Sequence, residues 1–366
     1  MEKVKVLIIG HTAKMGGVET FIYNTTIFSN KEKFEYDYLI HGYDQCVYED
    51  EINNFYGNKE HLFFISKYKK NPFKCIKELI KFYKLNGKKY KYIHLQTGIT
   101  SEILYVFPYC LFFKAKVIAH SHNGDGKKIT NNLFKPIVNF ISKKKFACSD
   151  IAAKWLFGKK YADSVKIINN GIDTERFLYN DESRNKIRNK YNIGDKLVIG
   201  HIGRFSEQKN HDFLIDIFKE VKTKNANSVL MLIGVGELEQ DIRSKVTYYG
   251  LENDVIFVGA KKNTNEFYNA FDIFVMPSLY EGLPIVGIEA QASGLPCLLS
   301  KNISNQIYIT DKVKLCPIEK GAEYWANEIL SLDRSLKSRE NYASIVRKNG
   351  FDIKDAVSFL ENEYIN

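Results

Sequence analysis

The first 175 residues of this 366-residue chain contain no arginine. They carry 28 lysines against 17 acids, a balance of +11, whereas residues 176–366 hold 25 bases against 26 acids, a balance of −1. The whole positive excess therefore lies in the first half, which implies an anionic partner for that half alone. Nucleic acid fits that role poorly, because arginine and a known reading motif are missing there. The longest uncharged apolar stretch, 103–113, has 11 residues and includes Pro108, well short of the roughly 20 that a membrane-spanning helix needs. The opening run Met1-Glu-Lys-Val-Lys-Val-Leu-Ile-Ile-Gly10 is too short for a secretory signal and lacks a small-residue cleavage site. Six cysteines, at 46, 75, 110, 148, 297 and 316, form no C-x-x-C and no metal-ligand spacing, and read as reduced thiols in a cytosolic protein. No D-x-D occurs, so the usual carboxylate pair for holding a nucleoside diphosphate through a divalent cation is missing.

What is present is an ordinary globular composition, 45% hydrophobic and 26% charged, in a chain long enough for about two domains. Short apolar runs at 4–9, 36–40, 61–65, 92–95 and 116–119 alternate with helical patterns. A second series, at 196–202, 228–233, 255–258, 272–276 and 296–299, follows a polar, charged connection at 179–195. Short strands separated by helices predict parallel sheets covered on both faces. The expected fold is α/β, with two Rossmann-like doubly wound domains facing across a cleft at their strand carboxyl ends. The expected boundaries are 1–178, 179–345 and 346–366, the last a helix packing back toward the N-terminal domain. The stretch 336–364 reads as helical and amphipathic throughout.

The richest segment runs from Met276 to Pro296 and contains Glu281 and Glu289. A strand should end at Met276, a Gly/Pro turn follow, and a helix begin near Pro284. Free N–H groups at that helix start suit a phosphate or sugar oxygen. The two carboxylates can each accept hydrogen bonds from vicinal hydroxyls of one ligand. Upstream, Gly203-Arg204-Phe205 and Lys209 flank a loop-to-helix transition after a strand. Arginine can grip two oxygens of a diphosphate while lysine adds a point charge. The first strand opens into Gly16-Gly17 before a helix, a loop without G-x-G-x-x-G spacing, which argues against a nicotinamide cofactor.

Gly16-Gly17 with Glu19, Asn170-Gly171-Ile172-Asp173 with Phe177, Gly203-Arg204-Phe205 with Lys209-Asn210, Val258-Gly259, and Pro277-Ser278 through Glu281 and Glu289 to Gly294-Leu295-Pro296 resemble glycosyltransferase family 4. These are retaining, nucleotide-sugar-dependent enzymes of the two-domain GT-B fold. The likeness covers most of the chain, is most specific over 197–297, and is nearest to bacterial capsular and exopolysaccharide transferases. It implies that Glu289 holds the ribose hydroxyls and Glu281 the donor sugar. Arg204 and Lys209 would neutralise the leaving diphosphate, with Gly203 in the same loop. The backbone of Gly282, Leu283, Pro284 and Ile285 would touch the sugar or its phosphate, and that of Val258 and Gly259 the base. Gly16 and Gly17 would line the cleft from the other side. The family's first-domain histidine follows a strand, which here leaves His120 and His122 as alternatives in one loop, the pattern fitting His122 slightly better. No cofactor or essential metal is expected, and retention implies a same-face reaction in which the leaving phosphate takes the acceptor's proton.

A helix is predicted from Asn71 as N-cap, with Pro72 at its first position, to Asn86-Gly87. Phe73, Ile76, Ile80 and Tyr83 would form one stripe, and Lys70, Lys74, Lys77, Lys81, Lys84 and Lys88 the next. Between 59 and 91 there are 11 lysines and two acids, a surface suited to an anionic membrane or to acceptor recruitment. The expected protein is thus a cytoplasmic transferase, peripheral to the inner face of the plasma membrane. It would pass a sugar from a nucleoside diphosphate, UDP foremost, to a lipid-linked saccharide. A UDP-sugar epimerase of the same fold and a catalytically inactive GT-B partner subunit are the rival readings.

Overall fold

The computed structural model describes residues 2–13, 16–113, 116–124 and 128–366, with backbone only at 128, 129, 337 and 338. The chain divides into two compact units, Met1–Gly171 with Asp352–Asn366, and Ile172–Phe351.

The first unit is built on β1 (Val4–Ile9), β2 (Phe34–His41), β3 (Leu62–Ile65), β4 (Tyr92–Thr97), β5 (Val117–Ser121), β6 (Ser142–Ala147) and β7 (Lys166–Ile167). All pair in parallel, in the order β3-β2-β1-β4-β5-β6-β7. Around the sheet lie α1 (Gly17–Phe28), α2 (Glu49–Tyr56), α3 (Pro72–Asn86), α4 (Phe107–Phe112), α5 (Lys128–Ile141), α6 (Asp150–Phe157) and α7 (Lys159–Ala162). Phe21 and Ile22 of α1, Ile52 of α2 and Ile353, Leu360 and Tyr364 of the C-terminal helix share one core cluster with Val6 and Tyr38. Leu79 and Phe82 of α3, Tyr109 of α4, Val138 of α5 and Leu156 of α6 form another with Leu7 and Ile93. Alternate residues of one strand thus feed two cores, as a doubly covered parallel sheet requires. Gly10 sits at φ +127, and a Cβ there would lie 2.0 Å from the Gln96 carbonyl oxygen. Only glycine lets β1 end so close against β4.

The second unit repeats the plan with β8 (Leu197–Ile202), β9 (Ser228–Ile233), β10 (Val255–Gly259), β11 (Ile273–Met276), β12 (Cys297–Ser300) and β13 (Val313–Cys316), ordered β10-β9-β8-β11-β12-β13. Its helices are α8 (Asp181–Lys190), α9 (His211–Lys224), α10 (Glu239–Tyr248), α11 (Thr264–Ala270), α12 (Ile285–Ala292), α13 (Gly321–Ser331) and α14 (Tyr342–Val346). The chain ends with α15 (Ile353–Ile365), which belongs to the first unit.

Several expectations need adjusting. Strands β6, β7 and β13 were not read from the sequence, and β6 hides behind Lys143-Lys144-Lys145. The amphipathic stretch 336–364 is not one helix. A left-handed Gly350 (φ +79) stops it, and the Asp352 side chain then caps α15 by accepting from the Lys354 N–H. The first division falls after Gly171 rather than 178, since Ile172 and Phe177 are buried in the second unit's core, and the Ile172 N–H donates to the Phe351 carbonyl at 2.9 Å. The second falls after Phe351 rather than 345. Helix α3 forms as expected, with Asn71 accepting from the Lys74 N–H at 3.0 Å, but its apolar stripe is misframed. Cys75, Leu79, Phe82 and Tyr83 face the core, while Phe73 is 85% exposed and Ile76 39%. Cysteine behaves as a small apolar residue in that position.

Candidate active site

In both units the strand order reverses beside the first strand, between β1 and β4 and between β8 and β11. Ligands of open α/β sheets bind outside the strand carboxyl ends at such a reversal. In the second unit the two loops leaving β8 and β11 carry the residues singled out above. They are tied together: the Leu279 N–H donates to the Gln208 carbonyl at 2.8 Å, Gln208 Nε2 to the Tyr280 carbonyl at 3.1 Å, and Asn210 Nδ2 to the Pro277 carbonyl at 3.1 Å. A Cβ on Gly234, at φ +142, would lie 2.0 Å from the Gly203 carbonyl oxygen, so glycine lets the β9 loop lie against the β8 loop.

On this frame Lys209 Nζ lies 2.5 Å from Glu281 Oε1, with both side chains mostly buried. Glu281 is held by a parallel bridge to Ile303. Arg204 pairs with Glu237 at 2.8 Å in the open, its side chain 60% exposed. Pro284 caps α12 and has no N–H to offer, which narrows the expected backbone contacts. The N–H groups of Gly282, Leu283 and Ile285 make no hydrogen bond among the described residues, and those of Gly282 and Leu283 lie beside the positive end of α12. Glu289 lies one turn into α12, where Tyr268 Oη donates to its Oε2 at 2.8 Å. Burial pushes the Glu289 carboxyl up to about 7, against the pull of that hydrogen bond and of the Arg176 charge. Val258 and Gly259 close β10, and the Gly259 carbonyl is already taken by the Gly234 N–H at 3.1 Å.

In the first unit Gly16 caps α1 and its carbonyl accepts from the Thr20 N–H and hydroxyl, at 3.1 and 3.0 Å. Gly17 opens the helix. Glu19, in the first turn, is buried and accepts from Thr12 Oγ1 at 2.6 Å; burial raises its pKa. The two histidines do not share a loop. His120 lies within β5, fully buried, and neither ring nitrogen has a hydrogen-bond partner. His122 lies just past the strand, half-buried, where Nε2 sits 2.5 Å from Gln96 Oε1 and Nδ1 3.1 Å from Asn170 Oδ1. Desolvation pulls it down to about 4, so its imidazole is neutral near pH 7. The chain of polar contacts continues from Gln96 Nε2 to His94 Nε2 at 3.3 Å, and from His94 Nδ1 to Tyr364 Oη of α15 at 2.5 Å. Gln96 and Tyr268 went unread in the sequence because no local spacing ties them to the residues they touch, and Asn170 was read within its motif but not as a partner of His122. Lys74, Lys77, Lys81 and Lys84 are exposed on α3 and Lys70 just before it; Lys74 Nζ lies 3.8 Å from Glu78 Oε1 and 4.9 Å from the centre of the Tyr43 ring.

Comparison with known proteins fits this geometry. Residues 183–349 match the model of "Glycosyl transferases group 1". The chain is 30% identical to the putative glycosyltransferase EpsF of Bacillus subtilis (strain 168), over 98% of this chain and 96% of that protein. It is 25% identical to the UDP-Gal:alpha-D-GlcNAc-diphosphoundecaprenol alpha-1,3-galactosyltransferase of Escherichia coli, over 100% and 97%. Among solved structures, Anabaena Alr3699/HepE in complex with UDP and glucose superposes with a TM-score of 0.79 at 16% identity, covering 99% of this chain and all of that one, so the fold is of the GT-B type. With relatedness along nearly its whole length and the paired carboxylate and cation loops at the strand reversal, the chain belongs to the group 1 glycosyl transferases.

Proposed function

We propose that the protein is a retaining, metal-independent glycosyltransferase. It moves a hexose or N-acetylhexosamine from a nucleoside diphosphate, UDP in the first instance, to a lipid-linked saccharide in capsular or other exopolysaccharide synthesis. The observation that carries this reading is the second unit's strand reversal. There two cations, unbonded N–H groups at a helix start and two carboxylates project from loops laced to one another. That set suits an anionic diphosphate flanked by hydroxyl-bearing sugars. The donor and lipid-linked acceptor in the name of the Escherichia coli relative, and the UDP and glucose bound by the Anabaena protein, support the substrate class.

Arg204 and Lys209 each face a carboxylate. An incoming diphosphate therefore replaces one anion with another. In the reaction the bond from the anomeric carbon to the diphosphate oxygen breaks and the bond to the acceptor oxygen forms on the same face. The hydroxyl proton passes to the departing phosphate oxygen. Arg204 and Lys209 stabilise the charge that grows there, Glu281 holds the transferred sugar and Glu289 the ribose, with the Val258 and Gly259 backbone near the base. Neutral His122 accepts or donates beside the reacting sugar. Thermal-shift screening against UDP-, GDP- and ADP-sugars, followed by product analysis with a lipid-linked acceptor, tests this. An interconverted UDP-sugar formed without acceptor would favour the epimerase, and binding without turnover the inactive partner subunit.

The first unit supports a place on the inner face of the plasma membrane. Beside the α3 lysines, Phe73, Leu85, Leu111 and Phe112 are exposed, and Lys84 Nζ lies 5.6 Å from the centre of the Phe112 ring, which joins α3 to α4. Among the described residues no helix is long and apolar enough to cross a membrane. Lysines around exposed apolar side chains match an anionic bilayer surface. Each lysine near such a surface contributes about 1 kcal/mol, so reversing Lys74, Lys77 and Lys81 to glutamate should weaken liposome binding by several kcal/mol. Donor affinity should not change. Equal sedimentation of wild type and triple variant with anionic liposomes would reject this surface.

A further inference from the structure

Tyr268 lies in α11, outside every motif discussed above. Its ring is fully buried, with centroids 5.8 Å from Phe177, 5.9 Å from Phe271 and 5.8 Å from Phe274. Only its hydroxyl reaches polar groups, Glu289 Oε2 at 2.8 Å and the Val286 carbonyl at 2.9 Å. A phenol has one hydrogen to donate. When it donates to Glu289, it fixes one carboxylate oxygen and thereby the plane of the group. Glu289 Oε1 makes no hydrogen bond among the described residues. Arg176 contributes charge to Glu289 while its own donors go to Asn265 Oδ1 and the Lys262 carbonyl, each at 3.2 Å, so the hydroxyl of Tyr268 is the group that orients the carboxylate.

We infer that Tyr268 is a positioning residue for nucleotide recognition: by anchoring Glu289 Oε2 it aims the carboxylate at the vicinal ribose hydroxyls and sets the preference for ribonucleotides over deoxyribonucleotides. The inference rests on the reading of Glu289 as the ribose-holding group. It adds that discrimination depends on a buried hydroxyl that never touches the ligand. A site built to pair with hydroxyls rejects a ligand lacking them, because its own polar groups are then left unpaired. That rejection weakens if the carboxylate can swing away.

The test is isothermal titration of UDP, GDP and ADP, each beside its 2′,3′-dideoxy counterpart, into wild type, Tyr268→Phe, Glu289→Gln and the double variant. Phenylalanine keeps the ring and its packing. Wild type should prefer the ribo form, and Tyr268→Phe should lose about tenfold of that preference while binding the dideoxy form unchanged. The double variant should discriminate no worse than Glu289→Gln alone, since the hydroxyl acts through that carboxylate. A preference that survives intact in Tyr268→Phe, equal weakening of both nucleotide forms, or additive losses in the double variant would each overturn the role of Tyr268. Should Tyr268→Phe fail to fold, the hydroxyl's role is structural and the inference is likewise overturned. A wild type that binds a nucleotide but ignores its ribose hydroxyls would instead remove the reading of Glu289, and the inference with it.

Discussion

At its strand reversal the second unit presents charge already matched with charge: Lys209 with Glu281 and Arg204 with Glu237. The first unit, on the same strand plan, sets His122 with Gln96 and Asn170 there, along with the buried Glu19 carboxyl bonded to Thr12, and exposes lysines along α3. One half thus presents paired cations, the other mainly uncharged hydrogen-bonding groups. Pairing offsets part of the desolvation cost of keeping Lys209 and Glu281 mostly buried, and on the proposed reading a diphosphate would take the place of the carboxylates. A neutral imidazole among amides adds no charge that would repel or trap a saccharide. Similar folds can be equipped for different ligands because the loops, and not the sheets, carry the chemistry.

Acid is the harshest way to break the comparison. Burial lowers the pKa of five histidines in the first unit: His11, His41 and His94 (the last two to about 3), His120, and His122 (to about 4). In the second unit it lowers only His201 and His211 among those with a resolved shift. Each such group binds its proton more readily when unfolded. Its contribution is therefore complete above about 6.5 and is lost as pH falls toward the folded value. The first unit should unfold at the higher pH of the two. One tryptophan lies in each, Trp155 and Trp325, so fluorescence of Trp325→Phe and Trp155→Phe variants follows each unit separately. Coincident transitions would erase the predicted difference.

Lysine 209 tests the charged half. Lys209→Ala should lower kcat by about 10²-fold or more, as for the loss of one group that stabilises developing charge. It also leaves Glu281 largely buried without its cation, a loss of about 3 kcal/mol in stability. Lys209→Ala combined with Glu281→Gln should recover much of the stability and none of the turnover. Near-normal turnover in a folded Lys209→Ala protein would remove the diphosphate role.

How much of this could be read beforehand depends on distance along the chain. Arg204, Lys209, Glu281 and Glu289 stand close to glycines, prolines and strand ends that mark a loop, so local spacing exposed them. Tyr268 meets Glu289 from a different helix, and Gln96 meets His122 from a different strand. Nothing in either local sequence announces the meeting. The ten strands read correctly are continuous apolar runs, whereas β6 carries three lysines and still pairs on both sides because β5 and β7 supply its neighbours. The stripe on α3 was misframed because Phe73 and Ile76 look like core residues until the sheet turns Cys75 and Leu79 inward. Of these, Phe73 became part of the proposed membrane face.

Glu289 offers a smaller test, of opposite sign to the histidines. Its folded pKa, near 7, lies above the ordinary carboxylate value of 4.5. The folded state holds the extra proton between those values, so the contribution is complete below about 4.5 and is lost as pH rises through 7. Glu289→Gln should therefore be more stable than wild type at pH 8, by about 3 kcal/mol, and the difference should shrink by pH 5. Urea unfolding at both pH values, followed by Trp325 fluorescence, measures it. A constant difference at both would show that the carboxyl titrates normally.

The smallest expected effect is none at all. With Arg204 and Lys209 proposed to meet the diphosphate, no divalent ion is needed to hold it, and the sequence offers no D-x-D to bind one. Among the described residues the one cluster with metal-ligating spacing is Glu35, Asp37 and His61, in the first unit. Its atoms are already engaged: Asp37 Oδ1 lies 2.8 Å from His61 Nδ1, Asp37 Oδ2 accepts from Tyr90 Oη at 2.7 Å, and Glu35 pairs with Lys5 at 2.6 Å. A metal there would have to displace Lys5 and the Tyr90 hydroxyl and break the contact between Asp37 and His61. Since Asp37 and His61 lie on and before strands β2 and β3, away from the carboxyl ends, it would also stand apart from the chemistry. Excess EDTA should thus leave the rate of sugar transfer unchanged, and added Mg²⁺ or Mn²⁺ should not raise it. A rate lost to EDTA and restored by either ion would show that the charged half does not neutralise the diphosphate with side chains alone, and Arg204 and Lys209 would then have to be reassigned as partners of a metal-bound donor.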